Sequence, residues 1–368
     1  MNSKRNYGID LLRILATFMI IVLHILGVGG VIYTIDSSSP VYIIAWLLEF
    51  AAYCAVNCYA LISGYVGVNS KFRVSNILFL WIQVVFTTVV ITTGFYCAGI
   101  DVSLADVKQS CTPITSQLYW YFTAYVCLYF LTPFLNRFIA NLNKKMACYL
   151  LVVLMILFSF VPILWETDLF FVNNGYSAAW LIILYLVGGV IRKFYSEIKI
   201  KKRILFLGYL LAVILTLLSK LGIEYLTERS SFALLGNHFL MNYNSPTMVL
   251  AGVCMLLLFA NLKVDKFVKI IAFYAPFTFG VYIIHVHPFV WNNILSNRFT
   301  GYTSFHPIAL VFAVLLTAII IFLTCSMAEF LRIQLFRILH VKQFCDFIEE
   351  KTKNIFERFL KDDRENNG

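Results

Sequence analysis

Apolar residues run along this chain in long unbroken stretches, not in alternation with polar ones. A helix crossing a hydrocarbon layer of about 30 Å needs about 20 apolar residues. Against that length the pattern predicts ten spans, at about 9–30, 41–67, 76–99, 118–139, 146–164, 177–192, 203–221, 246–262, 270–291 and 306–331, the sixth and eighth short. Ten-residue alternating segments, the mark of a membrane barrel, do not occur. The expected fold class is all-α integral membrane, with about ten transmembrane helices. After residue 340 the pattern changes. Phe344, Phe347, Ile348, Ile355, Phe356, Phe359 and Leu360 recur at spacings of three and four, with Lys and Glu between them. That spacing predicts a C-terminal amphipathic helix, either lying on the inner leaflet or packing on the cytoplasmic loops. Asp362 to Gly368 are expected to be disordered. The chain thus divides into a polytopic membrane domain, 1–335, and a cytoplasmic tail, 336–368.

Composition agrees with this reading. Of 368 residues 61% are hydrophobic and 13% charged, against roughly 25% charged in soluble domains. A soluble globule could not cover its surface with so few polar groups. A disordered chain and a nucleic-acid-binding domain are excluded with it. The net charge of +10 has a different origin. With both termini cytoplasmic, 24 of the 29 Lys and Arg residues fall on inside segments and four (Lys108, Lys220, Arg229 and Arg298) on outside loops. Arg13 lies within the first span. This asymmetry is the positive-inside rule for an even number of spans. The first span is too long for a cleaved signal peptide and carries Asp10 and Arg13. The nine cysteines lie mostly inside spans, so no disulfide framework is expected. Cys97 and Cys111 fall near the outer face and could pair. Cys54 and Cys58 read as core packing, and no metal site is expected.

Ionisable groups inside a membrane cost about 2.5–3.5 kcal/mol each on insertion, so each needs a reason. Asp10 and Arg13 are three apart on a helix and can pair. Arg13 and His24 are eleven apart, which is three turns and about 20°. They point the same way with an axial offset of about 16 Å. One helix thus places a fixed cation at the cytoplasmic mouth and a titratable imidazole deep in the same cavity. Arg suits a phosphate or carboxylate. His can take a proton from a hydroxyl or carry an acyl group. An interfacial ion pair and a hydrogen-bonded helix contact are the structural alternatives. The second span holds Glu49, Asn57, Ser63 and Gly64, with Lys71 and Arg73 just beyond it. Ser63 and Gly64 also suit close helix packing. Tyr119, Trp120 and Tyr121 open the fourth span, where an aromatic belt explains them equally well. His285 and His287 close the ninth span and point to roughly opposite sides, His285 the deeper. Glu329, near the inner end of the tenth, can snorkel to the interface.

These residues resemble the membrane-bound acyltransferase 3 family of bacterial O-acyltransferases. Arg13 followed after ten residues by His24, within Gly8-Ile9-Asp10-Leu11-Leu12-Arg13, is similar to the family's first-span signature. Leu61-Ile62-Ser63-Gly64-Tyr65 looks like its Ser-Gly-aromatic motif. Tyr119-Trp120-Tyr121 with Tyr129-Phe130-Leu131-Thr132-Pro133 resembles the fourth-span pattern, and Tyr282-Ile283-Ile284-His285 the late Tyr-(apolar)2-His motif. The likeness runs from about residue 5 to about 332. Two motifs depart from it. The basic run after the second span is thin and lacks Pro (Lys71-Phe72-Arg73-Val74-Ser75), and Glu329 is followed by Phe330-Leu331 instead of x-Pro.

The resemblance implies a transferase in the bacterial plasma membrane. It would move an acetyl group from cytoplasmic acetyl-CoA, as co-substrate with no bound cofactor, to a hydroxyl of a cell-surface or lipid-linked glycan. His24 would be the general base or an acyl carrier, with Arg13 and Asp10 beside it in the catalytic set. Arg13, Lys71 and Arg73 would bind the acyl donor. Tyr282, His285 and Glu49 would line the acceptor side. Ser63, Gly64, Tyr119, Trp120 and Tyr121 would shape and pack the path. A glycan-precursor transporter or flippase without acyl transfer is the alternative.

Overall fold

The computed structural model describes residues 5–165, 168–229 and 239–366, and the regular structure among them is all helical. Eight helices are long and apolar enough to cross a membrane: Tyr7–Thr34, Pro40–Gly67, Val74–Cys97, Trp120–Asn141, Lys144–Leu164, Lys202–Thr227, Val268–His285 and Pro307–Ile338. Helices of 16 and 15 residues, Ala178–Lys193 and Pro246–Ala260, stand at the sixth and eighth predicted places. By length these two fall short of the ~20 residues a span needs. The chain is a multi-pass membrane protein with eight spans by this measure, where the sequence pattern predicts ten.

The central element is α1 (Tyr7–Leu26). The apolar stretch within Tyr7–Thr34, of which α1 is the main part, is 67% buried inside the protein, against 17% for Lys144–Leu164. It packs against α2 (Pro40–Tyr53), α3 (Ala55–Gly67) and, later in the chain, Pro246–Ala260, Thr278–His285 and Pro307–Ile338. Along the rest of the chain, apart from other short pieces such as Leu104–Cys111, come α4 (Val74–Cys97), α5 (Trp120–Asn141), α6 (Lys144–Met155), α7 (Ala178–Lys193), α8 (Lys202–Arg229), α9 (Pro246–Ala260), α10 (Val268–Tyr274), α11 (Thr278–His285), α12 (Pro307–Ile338) and α13 (Val341–Asn366). Local chemistry sets several starts. Ser39 caps α2 with Pro40 in its first position, and the Asn143 and Ser177 side chains accept from the first turns of α6 and α7. Each cap satisfies an amide that the helix itself leaves open.

Where the sequence predicts one span over 270–291, the structure has two helices. Pro276 lies in the 3-10 turn Ala275–Phe277 between α10 and α11 and has no N–H for the helix ladder. α11 stops at His285, because Pro288 forces the residue before it into extended backbone (His287 ψ 134°). α8 runs on to Arg229, so Lys220 is a buried helix residue and not a loop cation. It is held by Glu224 and by the Tyr42 hydroxyl, and lies over the Trp46 ring at 4.1 Å. The α13 backbone stays helical to Asn366, past the boundary the sequence suggests at Asp362. Phe344 and Phe347 are exposed on it. Ile355, Phe356, Phe359 and Leu360 lie outside the residues whose side chains are described. Cys97 and Cys111 are both free and exposed, not paired.

α3 and α7 cross backbone to backbone. A Cβ on Gly64 would lie 2.0 Å from the Tyr185 carbonyl oxygen, and one on Gly188 would lie 2.1 Å from that of Leu61. Small residues permit such approach. Gly64→Val is expected to separate the pair at a cost of about 1–3 kcal/mol or more. A lowered melting temperature of the purified protein in detergent checks this; an unchanged one refutes it.

Candidate functional site

The Asn6 side chain caps α1, accepting from the amides of Gly8 (2.9 Å) and Ile9 (3.3 Å). Asp10 follows in the first turn, where the helix dipole favours an acid. It is 3% exposed and bonds Arg5 Nε at 2.6 Å and Arg13 NH1 at 2.9 Å. Asp10 thereby fixes the Arg13 guanidinium. Arg13 remains about one-third exposed and borders a cavity of about 230 Å³, shared with Lys71, Ser63, Tyr125 and Tyr129. Ser63 donates its hydroxyl to the Tyr59 carbonyl at 2.9 Å, and Gly64 is spent on packing.

Arg73 is elsewhere. Its guanidinium bonds Asp346 and Glu349 of α13 at 3.1 Å each, and Glu349 also accepts from the Val74 amide. Lys342 of α13 bonds the Asn76 side chain and pairs with Asp346. A hydrogen bond from Ser75, helped by Lys342 and Arg73, holds the Asp346 carboxyl below its ordinary value. Burial pushes Glu349 up, but hydrogen bonds from Ser75, Arg73 and Val74 outweigh it and bring that group down as well. The three cations named by the sequence therefore divide: Arg13 and Lys71 face one cavity, and Arg73 ties the tail to the body.

His24 borders a second, larger cavity of about 640 Å³. The sequence places Arg13 and His24 in one cavity; the structure gives each its own. Polar groups stand between the two residues along α1. Thr17, one turn beyond Arg13, donates to the Arg13 carbonyl at 2.9 Å, and the Tyr59 hydroxyl bonds both that carbonyl (3.1 Å) and the Thr17 hydroxyl. Tyr59 and Tyr121 border the larger cavity, and Tyr125, one turn from Tyr121, borders the smaller.

The imidazole is positioned from α11. His24 Nδ1 lies 3.0 Å from His285 Nε2, and His285 Nδ1 lies 2.6 Å from the Val281 carbonyl oxygen. A carbonyl only accepts, so His285 Nδ1 carries a hydrogen. In neutral His285, Nε2 is then a lone pair, and it must accept from Nδ1–H of His24. The network thus assigns the His24 tautomer: its Nε2 is an unprotonated acceptor with no hydrogen bond among the described residues. Trp291 meets the ring edge-on at 4.7 Å. His287 turns the other way, toward Thr92 and the Phe289 amide.

Ten of the twenty-one residues bordering the larger cavity are aromatic, Trp120, Tyr121 and Tyr282 among them. Tyr119 packs behind, its ring 6.1 Å from that of Tyr282. Glu49 enters from α2. It is 7% exposed, and its Oε2 is buried without a hydrogen-bond partner. The pattern in the sequence did not single out Tyr59, Tyr176, Tyr243 or Trp291. Tyr176 and Tyr243 come from connecting segments far apart in the chain, where no periodicity marks them. Among the described residues no cluster of three His, Cys, Asp or Glu side chains could hold a metal ion.

An imidazole with an open nitrogen bordering an aromatic-walled chamber, and a guanidinium bordering another cavity along the same helix, can divide the binding of two substrates. A family model described as an acyltransferase domain matches residues 6–327. No curated protein matches the chain, and no solved structure does.

Proposed function

The chain belongs to the acyltransferase 3 family, and on that premise we propose that it is an O-acetyltransferase moving acetyl from cytoplasmic acetyl-CoA to a hydroxyl of a cell-surface or lipid-linked glycan. The observation that carries the reading is the open Nε2 of His24, fixed as an acceptor by the relay through His285 to the Val281 carbonyl. In this reading the membrane is a bacterial plasma membrane and the Arg13 end of α1 is at its cytoplasmic face, the side on which the ten-span pattern puts most Lys and Arg. The diphosphate of the acyl donor binds at Arg13 and Lys71, with Asp10 holding Arg13. Its acyl-bearing arm passes the Thr17–Tyr59 pair to reach the chamber. The acceptor sugar occupies the chamber from the other side, against Tyr282 and Glu49.

His24 Nε2 takes the proton of the acceptor hydroxyl as its oxygen bonds to the thioester carbonyl. The C–S bond then breaks, the thiolate leaves with the electron pair, and the proton on His24 passes to it. His285, accepting from Nδ1–H, steadies the imidazolium that forms in between. Transport of a glycan precursor without acyl transfer needs no such open base. Purified protein given labelled acetyl-CoA and a glycan acceptor should release free CoA and label the acceptor. Absence of both in the wild type would overturn the enzymatic reading and leave transport.

The acyl-donor assignment makes a contrast testable. Arg13→Ala is expected to raise KM for acetyl-CoA about 10- to 100-fold, the loss of a charge-assisted contact worth about 1.5–3 kcal/mol. Arg73→Ala, already engaged by the tail, should change it less than about threefold. Equal effects of the two would refute the assignment.

A further inference from the structure

Building on the acceptor-side reading above, we infer that the larger chamber selects its sugar by charge and takes a neutral, hydroxyl-rich ring in preference to an anionic one. Among the described residues bordering it there is no Lys or Arg, and Glu49 is the one carboxylate. The other cavity along α1 carries Arg13 and Lys71. Charge is thus segregated: the cations lie where a phosphorylated acyl donor would bind, and the chamber around His24 has none to offer an anion.

Three features define what fits. Glu49 is more than nine-tenths buried and has no hydrogen-bond partner among the described residues, its Oε2 fully enclosed. A buried oxygen without a partner costs free energy until something donates to it. A sugar ring brings several hydroxyl donors at once. The walls supply the second feature: the Tyr243 ring lies between those of Tyr53 and Tyr176, 4.7 Å from each by centroid, and Trp120 lies 4.9 Å from Tyr176. Such faces receive the apolar C–H side of a sugar, as binding sites built of aromatic walls and few polar groups do. The third is volume: about 640 Å³ leaves room for a ring beside the reacting group. A uronic acid, a sialic acid or a phosphorylated sugar would bring a negative group into a place with no compensating cation. Losing its hydration there without a partner is unfavourable.

The test uses the full-length protein in lipid nanodiscs and matched pairs of methyl glycosides that differ only at C6: glucoside against glucuronide, and galactoside against galacturonide. Binding is measured by saturation-transfer NMR titration, with no acyl donor present. For at least one pair the neutral member should bind at least tenfold tighter than the acid. Glu49→Gln, which keeps a polar group of the same size, should retain that preference, and Glu49→Leu, which removes the polar partner, should weaken the neutral sugar at least tenfold. Equal or tighter binding of the acid in both pairs, undiminished binding of the neutral sugar in Glu49→Leu, or binding of neither member in both series would overturn the inference. The melting temperature of Glu49→Leu separates misfolding from lost recognition. Because no acetyl-CoA is used, the outcome is independent of transfer. Selective binding without turnover would sink the acetyltransferase reading alone, and turnover without selectivity would sink this one alone.

Discussion

His24→Ala is expected to lower acetyl transfer by about 10²- to 10⁴-fold, the usual contribution of a positioned general base, with little change in the amount of folded protein. The side chain borders a cavity and bonds only His285, so its removal opens no well-packed core. The kinetic loss should fall on kcat for both substrates, since neither the acyl-donor cations nor Glu49 are touched. His285 acts through His24. His285→Ala removes the acceptor that holds Nδ1–H, and lets the ring take the tautomer whose Nε2 is protonated and useless as a base. A smaller loss, about 10- to 100-fold, follows from the wrong tautomer and a looser ring. His285→Gln can accept from His24 through its carbonyl oxygen and donate to Val281 through its amide, and should recover part of the activity. The pH profile distinguishes this from a general packing defect: its limb for the base should move in His285→Ala and return toward the wild-type position in His285→Gln. His287→Ala should leave the rate near wild type, since that ring faces Thr92 and the Phe289 amide. Substantial activity in His24→Ala would refute the mechanism.

Much of this site can be read from α1 alone. The helical period places Arg13 and His24 on one side, and Asp10 one turn from Arg13, because a single helix fixes those relations locally. The pairing of His24 with His285 is a different matter. It depends on how α11 is set against α1 across 261 residues of chain, and on Pro276 and Pro288 bounding a short rigid segment. The sequence shows the prolines but not the partner. Arg73 shows the same limit in reverse. A cation beside Lys71 looks available to an anion, yet α13 returns from the far end of the chain and supplies Asp346 and Glu349 to it. The polar contact that lies between Arg13 and His24 on α1 was hidden for a similar reason. Thr17 and Tyr59 are unremarkable in the pattern, and only the crossing of α1 and α3 brings their hydroxyls together over the Arg13 carbonyl.

Glu329→Ala is expected to destabilise the folded protein by about 3–5 kcal/mol, the cost of stranding a buried charge. Glu329 does not snorkel: it is fully buried, and its two oxygens accept from Arg332 Nε (2.9 Å) and NH2 (2.6 Å). Gln83 of α4 donates to the same carboxylate at 3.0 Å. Arg332 is itself 8% exposed and lies over the Phe336 ring at 4.6 Å, so without Glu329 its charge has neither water nor counterion. Glu329→Ala combined with Arg332→Met should cost less than Glu329→Ala alone, since no charge is then left behind. A double change as damaging as the single one would mean that the pair matters for shape and not for charge. Shape enters in one place that concerns the chemistry. A Cβ on Gly280 would lie 2.1 Å from the Glu329 carboxyl carbon, so this acid is the surface on which α11 rests. Tyr282 and His285 follow on the same short helix. Glu329→Gln keeps the volume and the bond from Gln83 but loses the charge. It should unfold at a lower temperature than the wild type while keeping more transfer activity than Glu329→Ala, because α11, and with it the ring that orients His24, stays supported.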